Sequence, residues 1–204
     1  VVGGTGDIGS GCARVLAEEV KHVIITGRTP HNIKAVEKML KRIRRAKITA
    51  TRDNKNAVKK ADVVIAAASA THTILDDRMF KKGAIVCDLA YPKNISHRET
   101  ERNDILVFSG GLAEIPQEIY PGFEIGLPAP NILYGCFSEA ILLDLERRYE
   151  SFSFGKGNIT KEKVNEIKQI ADKHGFKVAP FYWGDRLLTE EDIEKIREAS
   201  GLRK

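Results

Sequence analysis

The sequence predicts an α/β protein, a doubly wound parallel sheet followed by a C-terminal helical segment. Three observations lead there: a glycine-rich turn that opens a helix, short β-branched runs alternating with helix-period segments, and a change of texture after Pro128 and Pro130. Only Val1 and Val2 precede the glycines. A first strand of this kind needs about five or six residues, so it is expected to be truncated here, with residues upstream of Val1 missing from the chain.

Gly3 to Gly9 forms the turn, and Cys12 to Val20 continues as a helix. The run Val23-Ile24-Ile25 marks the second strand, His22 to Gly27. Asn32 to Arg45 has Ile33, Val36, Leu40 and Ile43 on one helical face. Lys47 to Thr51 reads as a third strand and Ala57 to Lys60 as a short helix. Ala61 to Ala68 lacks alternation, as a strand covered on both faces does. Asp76 to Phe80 reads as helix, Ala84 to Leu89 and Leu106 to Ser109 as strands five and six. Beyond the prolines, Ile132 to Tyr149 is expected to be one amphipathic helix and Thr160 to His174 another, stopped by Gly175. Thr189 and Asp192 have capping-box spacing for a last helix. The expected division is residues 1–130 and 131–204, with no role assigned to Phe181 to Lys204.

The chain has 204 residues and a net charge of +5. Its longest apolar runs are far too short to span a bilayer, and no basic-plus-apolar leader opens it. Three widely spaced cysteines argue against a disulfide framework and for a reducing, cytoplasmic setting. No pair of Cys or His has metal-ligand spacing, so no metal is expected. Lys and Arg crowd Asn32 to Lys60, either as a solvated face or as a landing site for an acidic partner; no aromatic residue interleaves them, so nucleic acid is not expected.

Gly4-Thr5-Gly6-Asp7-Ile8-Gly9 matches the dinucleotide fingerprint G-x-G-x-x-G, between a strand remnant and a helix, which makes the predicted sheet a Rossmann sheet. At the end of the second strand an NAD site places a carboxylate; this chain has Gly27-Arg28-Thr29. Arg28 can pair with a 2′-phosphate and Thr29 can add a hydrogen bond, so NADPH is the expected cofactor. Ser69 and Tyr91 follow strand ends, where α/β ligands bind, and are further candidates for bordering it. Cys12 and Cys87 fall inside predicted elements and are expected in the core. Cys136 falls in the first turn of a predicted helix, where a thiolate is favoured, and is the candidate nucleophile; a structural thiol is the alternative.

The run Val1 to Ser10, the segment Asp88 to Asn94, the pair Gly110-Gly111 and the segment Tyr134 to Ala140 resemble the long-chain acyl-[acyl-carrier-protein] reductases, which make fatty aldehydes. Ser151 to Gly155 and Lys173 to Phe176 extend the similarity. The resemblance implies a two-step reduction in which Cys136 takes the acyl group from acyl carrier protein or acyl-CoA and NADPH then reduces the new thioester. It also implies an upstream acyl-binding domain. Asp88-Leu-Ala90 departs from the family's acidic-glycine pattern. Through Gly27 to Thr29 and Asp88 to Lys93 the chain is more loosely similar to shikimate dehydrogenases and glutamyl-tRNA reductases, which leaves a shikimate-type dehydrogenase and a non-catalytic NADPH sensor as alternatives.

Overall fold

The computed structural model describes residues 1–98, 101–120, 122, 124–155 and 157–201. The chain runs through α1 (Asp7–Glu19), β1 (His22–Thr26), α2 (Pro30–Lys41), β2 (Lys47–Thr51), α3 (Asn54–Lys59), β3 (Val63–Ala66) and β4 (Leu75–Asp76). A 3-10 turn (Asp77–Met79) leads to β5 (Ile85–Asp88), β6 (Ile95–Ser96), β7 (Leu106–Ser109), β8 (Leu112–Glu114) and β9 (Ile132–Tyr134). Then follow α4 (Gly135–Leu145), α5 (Lys161–Lys173), β10 (Lys177–Val178), β11 (Tyr182–Trp183), β12 (Arg186–Leu187) and α6 (Glu190–Ser200).

β1 pairs in parallel with β2, and β5 lies in parallel between β3 and β7. Val1 and Val2 join the two groups. Thr26 N donates to Val1 O at 2.9 Å, Val2 N donates to Ile65 O at 2.8 Å and Ala67 N to Val2 O at 2.9 Å. The order is therefore β2, β1, Val1–Val2, β3, β5, β7, all parallel, and it reverses direction of growth at Val1–Val2. In such sheets the ligand crevice opens at that reversal, outside the carboxyl ends of the strands.

Each face of the sheet is sealed by side chains at strand period. Val2, Val64, Ala66, Val86 and Val107 pack with Val58, Leu75, Phe80 and Ile105 on one side. Ala13 and Ala17 of α1 pack with Val23, Ile25 and Leu40 on the other. Such aliphatic side chains each contribute about 1.5–3 kcal/mol when fully buried. The buried residues of α1 are Gly9, Ser10, Gly11, Ala13 and Ala17, all small, so this helix lies close on the sheet.

The C-terminal helices carry a small antiparallel sheet, β10-β8-β9, over Ile115, Leu133, Leu142 and Phe176. The β11–β12 hairpin packs beside β7, with Phe181 on Phe108 at 4.4 Å between ring centres. α6 has its capping box at Thr189 and Asp192 and ends on Gly201 at φ 72°. The doubly wound sheet with its helical C-terminal segment is thus present, and β2 and β7 have the bounds expected of them. Residues 202–204, part of the unassigned tail, lie outside the described residues.

Some expectations change. Ile132 to Tyr149 is not one helix: its first three residues are β9, paired with β8, and α4 ends at Leu145. An edge pair only three residues long has no period to show in the sequence. α1 begins at Asp7 instead of Cys12, because the glycine turn ends directly in helix, and α2 begins at Pro30, a favoured first helical residue. Asp76 to Phe80 closes into a 3-10 turn. β3 and β5 are not covered throughout: Val63 and Ile85, at their starts, are exposed. Cys12 and Cys87 are only half-buried.

A cleft between the glycine turn and an exposed thiol

The glycine turn is held by its lack of side chains. A Cβ on Gly9 would lie 2.3 Å from the carbonyl oxygen of Gly3, so no other residue fits without backbone movement. Gly3 itself has φ +72°. Gly6 caps α1 with no side-chain hydrogen bond. The first-turn N–H groups of α1 therefore face outward with the positive end of the helix dipole, a site suited to phosphate.

The neighbouring corner is made by Gly27, Arg28 and Thr29. A Cβ on Gly27 would be 2.6 Å from the Thr5 side chain, so β1's end packs directly on the glycine turn. Arg28 and Thr29 are exposed, and among the described residues Arg28 has no ion-pair partner. Thr29 is the N-cap of α2, yet its side chain makes no capping bond. Both side chains remain available to a ligand.

Two buried polar residues fix the loops beyond β3 and β5. Asp88 is fully buried and accepts from Ala90 N and Ile95 N, both at 3.0 Å. Burial pushes its carboxyl above the ordinary range, against the pull of these amides and of Lys93. Asn94, also fully buried, accepts from Ala68 N at 2.9 Å and donates to Ala68 O at 3.0 Å. Together they hold Ser69 and Tyr91 on either side of a hollow of about 370 Å³ that Ile8 also lines. Tyr91 precedes a cis proline, Pro92. Lys93, in contrast, turns away: its ammonium donates to Asp88 O at 3.2 Å and lies 5.9 Å from the Trp183 ring centre.

The adjoining cleft, of about 680 Å³, runs from Ile8 and Tyr91 past Gly110 and Gly111 to Cys136 and Glu139. Its floor is another glycine device. A Cβ on Gly110 would be 2.2 Å from the Cys87 sulfur, so the backbone passes directly over that thiol. Gly111 O then accepts from Gly135 N at 2.7 Å, which ties the start of α4 to the end of β7. Cys136 is thus the second residue of α4, exposed, with its helix end toward the cleft. Tyr91 and Tyr134, 5.9 Å apart between ring centres, form an aromatic side wall. The cover is formed by Phe152, Ile159, Val164 and Ile167.

That cover is strapped to both helices below it. A Cβ on Gly11 of α1 would meet Ile159 at 2.6 Å, Arg14 donates to Gly157 O at 3.1 Å, and Lys161 pairs with Glu18 and Glu19. On the α4 side Ser153 donates to Glu139 at 2.8 Å. A separate hollow of about 220 Å³, near His22 and Val63 at the opposite strand ends, includes none of the predicted site residues.

The predicted residues therefore separate into three neighbouring places: Gly4 to Gly9 with Arg28 and Thr29, Ser69 with Tyr91, and Cys136. Ile8 and Tyr91 are shared between the second and third. Sequence reasoning missed Asn94, Ser153, Asn158 and Lys163. Asn94 and Ser153 fall in family-like segments without a role of their own, and the last three reach the cleft only through the packing of the cover on α1 and α4. Among the described residues no cluster of His, Cys, Asp or Glu is arranged to hold a metal ion, and no helix is long and apolar enough to cross a membrane.

Comparison with known proteins extends over most of the chain. The chain is 32% identical over 184 residues to the long-chain acyl-[acyl-carrier-protein] reductase of Synechococcus elongatus, covering 87% of this chain and 52% of that protein. It is 32% identical over 156 residues to aminotransferase PigE of Serratia sp., covering 75% of this chain and 18% of that protein. The chain thus spans about half of one curated relative and less than a fifth of the other. The nucleotide binding domain of glutamyl-tRNA reductase from Thermoplasma volcanium overlays 52% of this chain and 71% of its own, with a TM-score of 0.40 and 23% identity. The match of residues 1–109, more than half of the 204 residues, makes this chain a member of the shikimate / quinate 5-dehydrogenase family.

Proposed function

We propose that this chain is the cofactor-and-thiol part of an NADPH-dependent reductase that converts a fatty acyl thioester, carried on acyl carrier protein or coenzyme A, to an aldehyde. The observation that carries the reading is that Cys136 and Ile8 of the glycine turn line one cleft. The family match ends at residue 109, before Cys136, whereas the similarity to the acyl-[acyl-carrier-protein] reductase covers 87% of the chain. The lining of the cleft, largely aliphatic and aromatic, suits an acyl group.

The residues fit the cofactor. The open first turn of α1 would receive the pyrophosphate, Arg28 and Thr29 the 2′-phosphate, and Ser69 and Tyr91 would border the bound molecule. When bound, NADPH supplies the hydride. Cys136 performs the other half: its thiolate adds to the thioester carbon, and the carrier's sulfur leaves with the proton that Cys136 gave up. A thiolate is both a strong nucleophile and a good leaving group, so the acyl-enzyme can later release the aldehyde. The exposed basic residues of α2 and the segment after it, such as Lys34, Lys38 and Arg45, would attract an acidic carrier at long range.

Family membership through residues 1–109 supports a second reading, a dehydrogenase of a ring alcohol that needs no thiol. Cys136→Ser in the full-length protein separates the two. NADPH oxidation with a long-chain acyl-CoA should fall by about 10³-fold or more, while NADPH affinity stays at the wild-type value. Full thioester turnover in the variant would end the covalent mechanism. Shikimate-dependent NADP reduction that survives the substitution would put the second reading in its place.

A further inference from the structure

Lys163 is placed where helix electrostatics disfavours a cation. It is the third residue of α5, in the first turn, where the helix dipole disfavours positive charge. Its neighbour Lys161 is in the same turn but is balanced by Glu18 and Glu19. Lys163 has no carboxylate partner among the described residues. Its ammonium instead donates to Phe152 O and lies 4.9 Å from the Phe152 ring centre. Among the described residues it is the one cationic side chain lining the cleft that also holds Cys136. The acidic group on that lining, Glu139, accepts from Ser153.

The reaction proposed above places a negative charge in this cleft. When the Cys136 thiolate adds to the thioester carbon, the carbonyl π pair moves onto oxygen and leaves an oxyanion. The pair returns as the carrier's carbon–sulfur bond breaks. The same charge appears on that oxygen in reduction, before the Cys136–carbon bond breaks to give aldehyde and thiolate. In apolar surroundings a fixed cation stabilises such a charge far more than it does in water. Resting on that reading, we propose that Lys163 is the catalytic residue that stabilises the oxyanion of the Cys136 adduct. Phe152 and the first turn of α5, where Thr160 accepts from Lys163 N at 3.3 Å, hold it in the cleft wall.

The test uses the full-length protein and a long-chain acyl-CoA without NADPH, with acyl-Cys136 formation followed by mass spectrometry. Lys163→Met should slow acylation by about 10²-fold, in the range of a lost oxyanion donor, and Lys163→Arg should restore most of the rate. Alkylation of Cys136 by iodoacetamide forms no oxyanion, so its rate in Lys163→Met should stay within about twofold of wild type. Wild-type acylation in Lys163→Met, or an equal loss in acylation and alkylation, would overturn the role of Lys163 alone. If wild-type protein forms no acyl-Cys136, the thioester reading fails and Lys163's role fails with it.

Discussion

The glycine turn and the cleft beside it are walled by different materials. The wall at the glycine turn is made of backbone: Gly3, Gly6 and Gly9 keep side chains out so that amides face outward, and Gly27 packs against Thr5. The α4 and α5 wall is made of side chains, Cys136, Glu139 and Lys163, brought together by helices whose starts are fixed elsewhere. Between them, Gly110 lets the chain pass over Cys87 and hand the start of α4 to Gly111. Where backbone packs as closely as at Gly9, almost no change in volume is tolerated. A side-chain wall should tolerate substitution in folding, whatever it costs in the proposed chemistry.

The largest expected contrast lies across the floor of the cleft. Burial, its main cause, pushes the Cys87 thiol up to about 11, and burial also raises Cys12. Near pH 8 only about one Cys87 in a thousand is then thiolate, and that fraction grows about tenfold per pH unit until the pH passes its pKa. Iodoacetamide at that pH should label exposed Cys136 first, as peptide mapping would show. Equal labelling of Cys87 would mean that the floor is open.

On the backbone wall, Gly9→Ala should lower stability by about 1–3 kcal/mol, since its Cβ would meet a carbonyl that cannot swing aside. It should also weaken NADPH binding. At Gly6 the nearest heavy atom to a Cβ is 3.5 Å away. Gly6→Ala should therefore keep its melting temperature and lose only affinity. Thermal melts beside NADPH titrations separate the two, and equal melting loss at both positions would contradict the close approach at Gly9.

Arg28→Ala should weaken NADPH by about 10- to 100-fold, the value of charge-assisted bonds to one phosphate, with NADH unaffected. Titration with both cofactors decides it, and an equal loss for both would assign Arg28 to general electrostatics. The smallest change is expected at Ser153→Ala, where the bond to Glu139 contributes about 0.5–1.5 kcal/mol. Denaturant unfolding measures it, and a larger loss would make that bond a main tie of the cover.

Legibility followed the same division. The glycine turn and the strands β2 and β7 were readable because each depends on neighbours in sequence: a turn needs its glycines in place, and a strand shows in a short run of β-favouring residues. The β8–β9 pair was not readable. Leu112 to Glu114 and Ile132 to Tyr134 are too short for a period, and their pairing joins residues far apart in the chain. That pair also set where α4 begins, and so moved the helix start to the residue before Cys136. Asp88 reads as part of the fifth strand and Asn94 as the end of a family-like segment; only the fold shows each buried, with its side chain bonded to the loop amides around it.

The sequence alone determined the parallel α/β sheet and the glycine turn at the start of α1, because local sterics and hydrophobic period leave few alternatives. Tertiary structure decided which side chains face one another across the cleft. Lys163, Glu139, Ser153 and Cys136 are spread over 28 positions and meet only because Gly11 accepts Ile159 and Gly111 accepts the start of α4. Contacts of that kind depend on packing between distant segments, and no pattern along the chain encodes them.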